Sequence, residues 1–546
     1  MWLLCLGDDW LIVDAGSAFP ENELLGIDMV IPDISYLVEH KEKLRGIVLT
    51  HAHYDHIGAL PFVLPQLPLP VYGSPLTLEM TKLYLRDYPQ VGKVRWVTIE
   101  PGQSFQVGSI HCDLLRMSHD LPDSCGLAVR SPQGWIIFSG DFKVDYTPPD
   151  GRMIDLAHLG QLGHEGVLCL LSDSGNAEMP GSTLSEKEMG KRLSQVLLES
   201  TDRLVVHLGV NDLLRLHQLL WIAVEQDLQV QIQTPALREM IQAAERAKAL
   251  SFPPALKSSG RRGRAKSSGQ PAKRQMILVS SLPSEPYLAP LLDLGSSRGL
   301  VQKGDTVLLT GAPMPGSGKM RYRVINNLYR QGVSKVVELL SVGAYSSHAA
   351  REELKLMLSL TRPQNLIPVH GEARHLRQHR QLAIELGWAA KSILLPQNGE
   401  CVDFKEGSGA LTEHINTGKL LVDGLGIGDN SGTVQRDRKQ LAADGLLIAV
   451  LTISRTDGSL LGDPSFISRG FLYEGEESEL LADARERLRE VVAQQKQERK
   501  IDWNGMKAAT REALAKLINE RMRRRPVILT VIREVPAHTG GSKKGR

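Results

Sequence analysis

The chain has 546 residues, 42% of them hydrophobic and 23% charged, with a formal net charge of +2 at pH 7. Such a length predicts about three domains, and the composition is that of an ordinary soluble globular protein with no apolar run able to span a bilayer. A near-neutral balance excludes a global basic field, and five scattered cysteines (Cys5, Cys112, Cys125, Cys169, Cys401) without a CxxC pair argue against a disulfide framework and for a reducing cytoplasm.

The first residues, Met1 to Asp14, read as strand, turn and strand, because Asp8 and Asp9 interrupt the apolar run and no basic segment precedes it; a signal peptide is not expected. Short β-rich runs follow at Gly46–Thr50, Pro70–Tyr72, Val94–Ile99, Ile110–Met117, Trp135–Ser139 and Leu168–Ser172, a pattern of stacked sheets flanked by helices. From Ser185 a helix is predicted, with Ser185 or Thr183 as cap, Glu186 and Glu188 in its first turn, and Leu193, Val196 and Leu197 on one face.

Helix and strand then alternate through residues 185–340, as in a separate α/β unit. That unit is interrupted near 253–275 by a Ser- and Gly-rich stretch with seven Lys or Arg and no acid between Lys257 and Arg274, which reads as a disordered insertion. Solvated loops or tails explain this run, and those at Arg521–Arg525 and Lys543–Arg546, as readily as a nucleic-acid contact does. A helix at Ala349–Leu360, a strand at Leu366–His370 and a helix at Ala373–Gly387 come next. The apolar strand Leu446–Ile453, two helices (Glu477–Gln497, Trp503–Arg523) and the strand Val527–Ile532 make a small α+β module at the end.

The most informative segment is His51-Ala-His53-Tyr-Asp55-His56, three imidazoles and a carboxylate directly after an apolar strand. Alternate residues of extended chain point the same way, so His51 and His53 can converge on one ion, while Asp55 and His56 can reach a second. Imidazole and carboxylate suit zinc without a thiolate. A polar loop with coincidental histidines is improbable with only 16 His in the chain. Further ligands must come from elsewhere. His119 follows a strand, Asp141 sits in a Ser-Gly-Asp turn and has two oxygens able to bridge both ions, and His370 again ends an apolar strand.

With these motifs in order the chain resembles the ribonuclease J family, in the β-CASP nuclease group of the metallo-β-lactamase superfamily. The resemblance covers nearly the whole chain and includes Phe19–Asp28, Asp141-Phe-Lys143, Leu171-Ser-Asp-Ser174, Pro368-Val-His-Gly-Glu372, Val422-Asp-Gly-Leu-Gly426, Arg436-Asp-Arg438 and Ile467-Ser-Arg-Gly-Phe471. It implies an α/β architecture: a metallo-β-lactamase αββα sandwich (1–184 and 341–418), an inserted β-CASP α/β domain (185–340), a linker (419–438) and a small C-terminal α+β domain (439–546).

It also implies two Zn2+ per subunit, one held by His51, His53, His119 and Asp141 and the other by Asp55, His56, Asp141 and His370. Asp173 would orient a ligand, and His348 would contact phosphate or protonate the leaving oxygen. Ala344, Tyr345, Ser346, Ser347 and His348 lie where the family has a His-x-Ser-Gly-His phosphate-binding loop; here Ala344 replaces the first His and Ser347 the Gly. The loop at Asn211–Arg215 keeps only the Arg of a Ser-Asn-x-His-Arg pattern, and Ser280–Glu285 departs from a Gly-Ser-Gln-Gly-Glu type.

The implied activity is zinc-dependent hydrolysis of single-stranded RNA, with a 5′-monophosphate preferred, by 5′-to-3′ exonuclease and endonuclease action in RNA maturation and decay. The implied setting is a cytoplasmic homodimer or higher homo-oligomer, with paralogue or RNA-decay partners and no membrane. Three rivals stand beside it: a DNA-directed nuclease, a non-catalytic or weakly active RNA-binding subunit, and a small-ester hydrolase, which would not need the extra domains.

Overall fold

In a computed structural model of the chain, the described residues are 1–20, 24–200, 203–209, 211–254, 274–281, 288, 291, 300–311, 318–339, 346–424, 426–428, 432–472, 477–495 and 502–535. The expected basic insertion lies outside them except for its ends, as do Ala344, Tyr345 and the basic tail. Two compact units are present, one of Met1–Phe19 with Asp28–Gly426, the other of Pro20–Ile27 with Ile427–Arg546.

The first unit is built on two stacked sheets. One has the strand order Trp2–Leu6, Asp9–Val13, Leu44–Val48, Val71–Gly73, Trp96–Thr98, opening with an antiparallel hairpin and continuing parallel. The other runs Asn365–Val369, Val167–Asp173, Gly134–Phe138, Cys125–Ser131, Ile110–Arg116, Ser104–Val107. Side-chain alternation sorts each strand between two cores. Leu11 and Val13 face the second sheet, packing with Leu114, Leu127, Phe138 and Leu171, while Trp10 and Ile12 turn outward toward Leu37, Leu60 and Leu76 on the covering helices. The central strands, such as Leu44–Val48 and Val167–Asp173, are buried on both faces and so read as continuous apolar runs. The helices Leu156–Glu165, Arg351–Thr361 and Ala373–Glu385 cover the far side of the second sheet through Leu159, Leu354, Met357 and Leu382. Helix, sheet, sheet and helix stack as expected.

Between the last two strands of this sandwich the chain makes a five-stranded, all-parallel sheet in the order Gln229–Ile232, Gln275–Ser280, Arg203–Leu208, Thr306–Leu309, Lys335–Glu338. The predicted helix is present at Glu186–Leu198, capped by Ser185, whose side chain accepts from Glu188 N. One face of the sheet packs Val205, Val279 and Val307 against Val324 and Leu328, while its other face (Leu204, Val206, Leu278, Leu308) joins the cluster that covers the first sheet.

The second unit has a three-stranded sheet, Ser465–Arg469, Leu446–Ser454, Val527–Val535. Leu447, Ala449, Leu451, Ile453 and Ile528 pack against Leu488, Leu514 and Ile518 of the helices Glu477–Gln495 and Trp503–Met522. On the opposite face Ile467, Leu529 and Val531 are 47–49% exposed.

Several elements were not expected, among them Pro75–Leu85, Ser104–Val107, Leu156–Glu165 and Ser465–Arg469, and two more show why. The helix Thr433–Asp444 runs through the end of the segment read as linker; it buries none of its residues, so no apolar stripe announces it. The strand Cys125–Ser131 follows a Pro-Asp-Ser turn and contains Gly126 and Ala128, small residues that hide a buried strand's signal. Among the described residues no helix is long and apolar enough to cross a membrane.

Candidate metal centre

The centre is assembled where strands of both sheets end. The strand Leu44–Val48 delivers Thr50 and His51, and the chain then turns into a short helix at Tyr54–Ile57 that carries Asp55 and His56. This turn lies against the loop after the strand Asp9–Val13: Ala15 N donates to His56 O at 2.7 Å and Ser17 N to Tyr54 O at 3.0 Å. A Cβ at Gly16 would stand 1.5 Å from the carbonyl oxygen of Asp55, so any side chain there would displace the turn. Asp141 follows Gly140, which is left-handed (φ +59) and lies so near Cys125 O that a Cβ would meet it at 2.5 Å. His370, at the end of Asn365–Val369, is itself left-handed at φ +52.

All seven expected ligands come together. One group is His51, His53, His119 and Asp141; a second is Asp55, His56, Asp141 and His370; within each, one donor atom per residue lies within 4.8 Å of the others. Asp141 belongs to both. A third overlapping group joins Asp141, Asp173, His348 and His370.

Hydrogen bonds at the opposite ring atoms set which nitrogen of His51, His56 and His119 faces inward. A carbonyl or carboxylate can only accept, so a ring nitrogen bonded to it carries a proton, and in a neutral imidazole its partner is left a free lone pair. His119 Nδ1 donates to Ser347 O at 2.9 Å, and His119 Nε2 then lies 3.2 Å from His53 Nδ1. His56 Nδ1 donates to Asp14 Oδ2 at 2.8 Å; its Nε2 is buried without a hydrogen-bond partner, 3.3 Å from Asp141 Oδ2. Thr50 Oγ1 gives its proton to Asp14 Oδ2 at 2.8 Å and so can accept from His51 Nδ1 at 3.1 Å, while His51 Nε2 lies 3.1 Å from His53 Nδ1. Nitrogens sharing a tetrahedral zinc at about 2.0–2.1 Å would be roughly 3.3 Å apart, close to these spacings. The donor types, the spacing and the orphaned His56 Nε2 all fit a divalent cation.

Asp173 lies beside the candidate ligands. Its Oδ2 accepts from His348 Nδ1 at 2.9 Å and its Oδ1 from Gly175 N at 2.8 Å. The His348 ring stacks on His370 with centroids 4.8 Å apart. Ser346 Oγ accepts from His348 N at 3.0 Å, and Ser347 offers its carbonyl to His119. Ala344 and Tyr345 lie outside the described residues.

Burial works against charge here, and the neighbours decide the outcome. Burial, with the adjacent His56, drives His51 well below its ordinary range, so it is a neutral donor. Burial opposes ionisation of Asp141, but the imidazoles of His370, His56 and His51 outweigh it and hold the carboxyl well below the usual range. For His348, burial is overcome by Asp173, with Asp141 and Asp120, and the imidazole is pushed up to about 10. Carboxylates thus gather at a point that a cation would stabilise.

Two carboxylates were not foreseen. Asp14, left-handed at φ +57, organises Thr50 and His56 from the next strand, a neighbour only because Val13 pairs with Val48. Asp120 Oδ1 lies 3.2 Å from His53 Nε2 and 3.1 Å from His119 Nε2. Its place directly after His119 was a legible signal; that of Asp14 was not.

Three family models match the chain: Metallo-beta-lactamase superfamily over residues 1–177, Zn-dependent metallo-hydrolase RNA specificity domain over 335–393, and Ribonuclease J C-terminal domain over 433–535. Ribonuclease J2 of Bacillus subtilis (strain 168) is 33% identical over 537 residues, covering 98% of this chain and 96% of that protein. Ribonuclease J 2 of Staphylococcus aureus (strain MRSA252) matches with the same identity and coverage. A solved structure of a protein of unknown function from Enterococcus faecalis V583 aligns with 75% of this chain and 96% of its own at a TM-score of 0.48 and 15% identity.

Proposed function

The chain belongs to the ribonuclease J family, and from that premise we propose that it is a zinc-dependent ribonuclease that degrades RNA 5′ to 3′ from a 5′-monophosphate end and also cuts internally. That it is a metal-dependent nuclease that binds RNA follows from the family. The dependence on zinc is supported by one observation, two donor sets that share Asp141; the 5′-to-3′ direction and the internal cutting are what the resemblance to the family implies.

His51, His53, His119 and Asp141 would hold one zinc, and Asp55, His56, Asp141 and His370 the other. Bound there, the pair would supply Lewis acidity, polarising a phosphoryl oxygen and acidifying a water. The chain's own side chains do the rest. Asp14, Thr50 and the carbonyl of Ser347 hold His56, His51 and His119 in the tautomer that leaves a lone pair facing inward. Asp173 holds His348 by Nδ1, so Nε2 is left to donate to a phosphate oxygen or to give a proton to the leaving oxygen. Backbone contacts to RNA would come from Lys and Arg along the cleft between the sandwich and the inserted sheet.

The protein would act in the cytoplasm in RNA maturation and decay, as a homodimer or higher homo-oligomer and alongside a paralogue or other decay proteins. Its five cysteines are all free, which suits a reducing compartment. The exposed row of Ile467, Leu529 and Val531 offers a face for self-association. One observation favours a second reading, a weakly active or non-catalytic RNA-binding subunit: Ala344 and Ser347 alter the loop that would hold phosphate.

The test uses a 3′-labelled RNA with a 5′-monophosphate, and DNA of the same sequence, cleaved by wild type and by Asp55→Ala/His56→Ala. Stepwise loss from the 5′ end of the RNA, absent in the variant, is expected. No cleavage by protein with zinc bound would overturn the reading in favour of the binding subunit, and equal cleavage of DNA would overturn the choice of RNA.

A further inference from the structure

Ala52 separates His51 from His53, and its carbonyl oxygen accepts from Asn211 Nδ2 at 3.2 Å. Asn211 does not belong to the sandwich. It stands just after the strand Arg203–Leu208 of the inserted sheet, 9% exposed, in the left-handed conformation (φ +62) that asparagine tolerates better than most residues.

The same turn reaches the other ligand segments. Leu214 N points at Asp120 O, next to His119, at 3.4 Å. Arg215, fully buried, pairs with Glu186 at 3.1 Å, and Glu186 pairs with Lys143 at 2.6 Å. Lys143 lies two residues beyond Asp141, and its N–H donates to Ser118 O at 2.8 Å, next to His119. Asn211, Leu214 and Arg215 therefore touch, directly or through two ion pairs that share Glu186, the segments carrying His51 and His53, His119, and Asp141. Other links between the inserted domain and the sandwich, such as Arg86 with Glu239 and Arg246 with Glu79, have exposed arginines and are worth little.

We propose that Asn211 is a positioning residue for the metal centre, holding the peptide between His51 and His53 so that their ring nitrogens keep the spacing one ion requires. The proposal rests on the reading of those two histidines as ligands of one zinc. Ligand geometry tolerates displacements of only about 0.5 Å, and an unheld peptide between two ligands moves both. The inserted domain thereby holds the segment between His51 and His53 through this side chain.

The experiment titrates metal-free full-length protein with zinc against a chromophoric chelator, for wild type, Asn211→Gly, Asn211→Asp and His51→Ala. Glycine keeps the left-handed backbone without strain and removes only the side chain. Aspartate keeps shape and backbone but turns an acceptor toward the Ala52 carbonyl. Both Asn211 variants are expected to bind two zinc ions with one site weakened about tenfold or more, to show an altered Co2+ d–d spectrum, and to bind RNA like wild type.

Unchanged zinc affinity in both variants would overturn the proposal, as would lost RNA binding with zinc binding intact, which would make Asn211 a substrate contact. Thermal melts of the metal-free proteins identify a variant that fails to fold, and the other then decides. His51→Ala must lose one site. If it binds zinc as wild type does, the ligand reading itself fails, an outcome distinct from failure at Asn211 alone.

Discussion

Asp14→Asn is expected to weaken zinc binding without unfolding the protein. Asp14 accepts from Thr50 N, Thr50 Oγ1 and His56 Nδ1, each at 2.8 Å. Asparagine keeps the left-handed backbone and the oxygen that faces Thr50 N, but places an NH2 where His56 Nδ1–H now donates. His56 must then accept at Nδ1 and carry its proton on Nε2, the nitrogen 3.3 Å from Asp141 Oδ2, where a ligand needs a lone pair. Exchanging charged hydrogen bonds of about 1.5–3 kcal/mol for neutral ones of about 0.5–1.5 kcal/mol predicts a stability loss of about 1–2 kcal/mol. Loss of the orienting carboxylate predicts a 10- to 100-fold fall in affinity at one site, or about 1.4–2.8 kcal/mol. Asp14→Ala should cost roughly 1–2 kcal/mol more stability because alanine resists the left-handed region. Zinc competition, urea unfolding and 15N-imidazole NMR of His56 read the three quantities. Wild-type zinc affinity in Asp14→Asn, with the His56 proton still on Nδ1, would refute the reasoning.

Glu186→Gln should destabilise the protein by about 3–5 kcal/mol in urea melts and by more than Lys143→Met does, because Glu186 is the buried anion facing both Lys143 and Arg215; equal losses would count against that pairing. Burial, with Asp120 and Glu186, pushes the Asp212 carboxyl up to about 7 against the pull of Arg215. The protonated form is thus favoured on folding, so this contribution is full below the ordinary carboxyl range and is lost as pH rises through about 7. Asp212→Asn, still able to cap the helix at Arg215 N, should therefore gain stability relative to wild type at pH 8 but not at pH 4, read by urea unfolding at both. Ile467→Lys with Val531→Lys should lower the subunit count seen by sedimentation while leaving the melting temperature near wild type, since both side chains stand on the open sheet face; an unchanged count would remove that face as the contact.

The stacked sheets and the His51–His56 cluster were legible in the sequence because both depend on local rules, whereas the full set of seven candidate ligands came from the resemblance to the family. A strand buried on both faces shows as an apolar run, as at Leu44–Val48 and Val167–Asp173, and histidines two apart on extended chain must point the same way. The C-terminal helices were legible for the same reason, whereas Thr433–Asp444 buries nothing and left no periodic trace. What holds these candidate ligands in place was decided by tertiary structure alone. Asp14 meets His56 because two strands pair in a given register, Ser347 meets His119 across 228 residues, and Asn211 meets Ala52 from another sheet. An imidazole shows in the sequence that a metal can bind; which of its nitrogens is free depends on the group at the other one, and that group is brought by the fold.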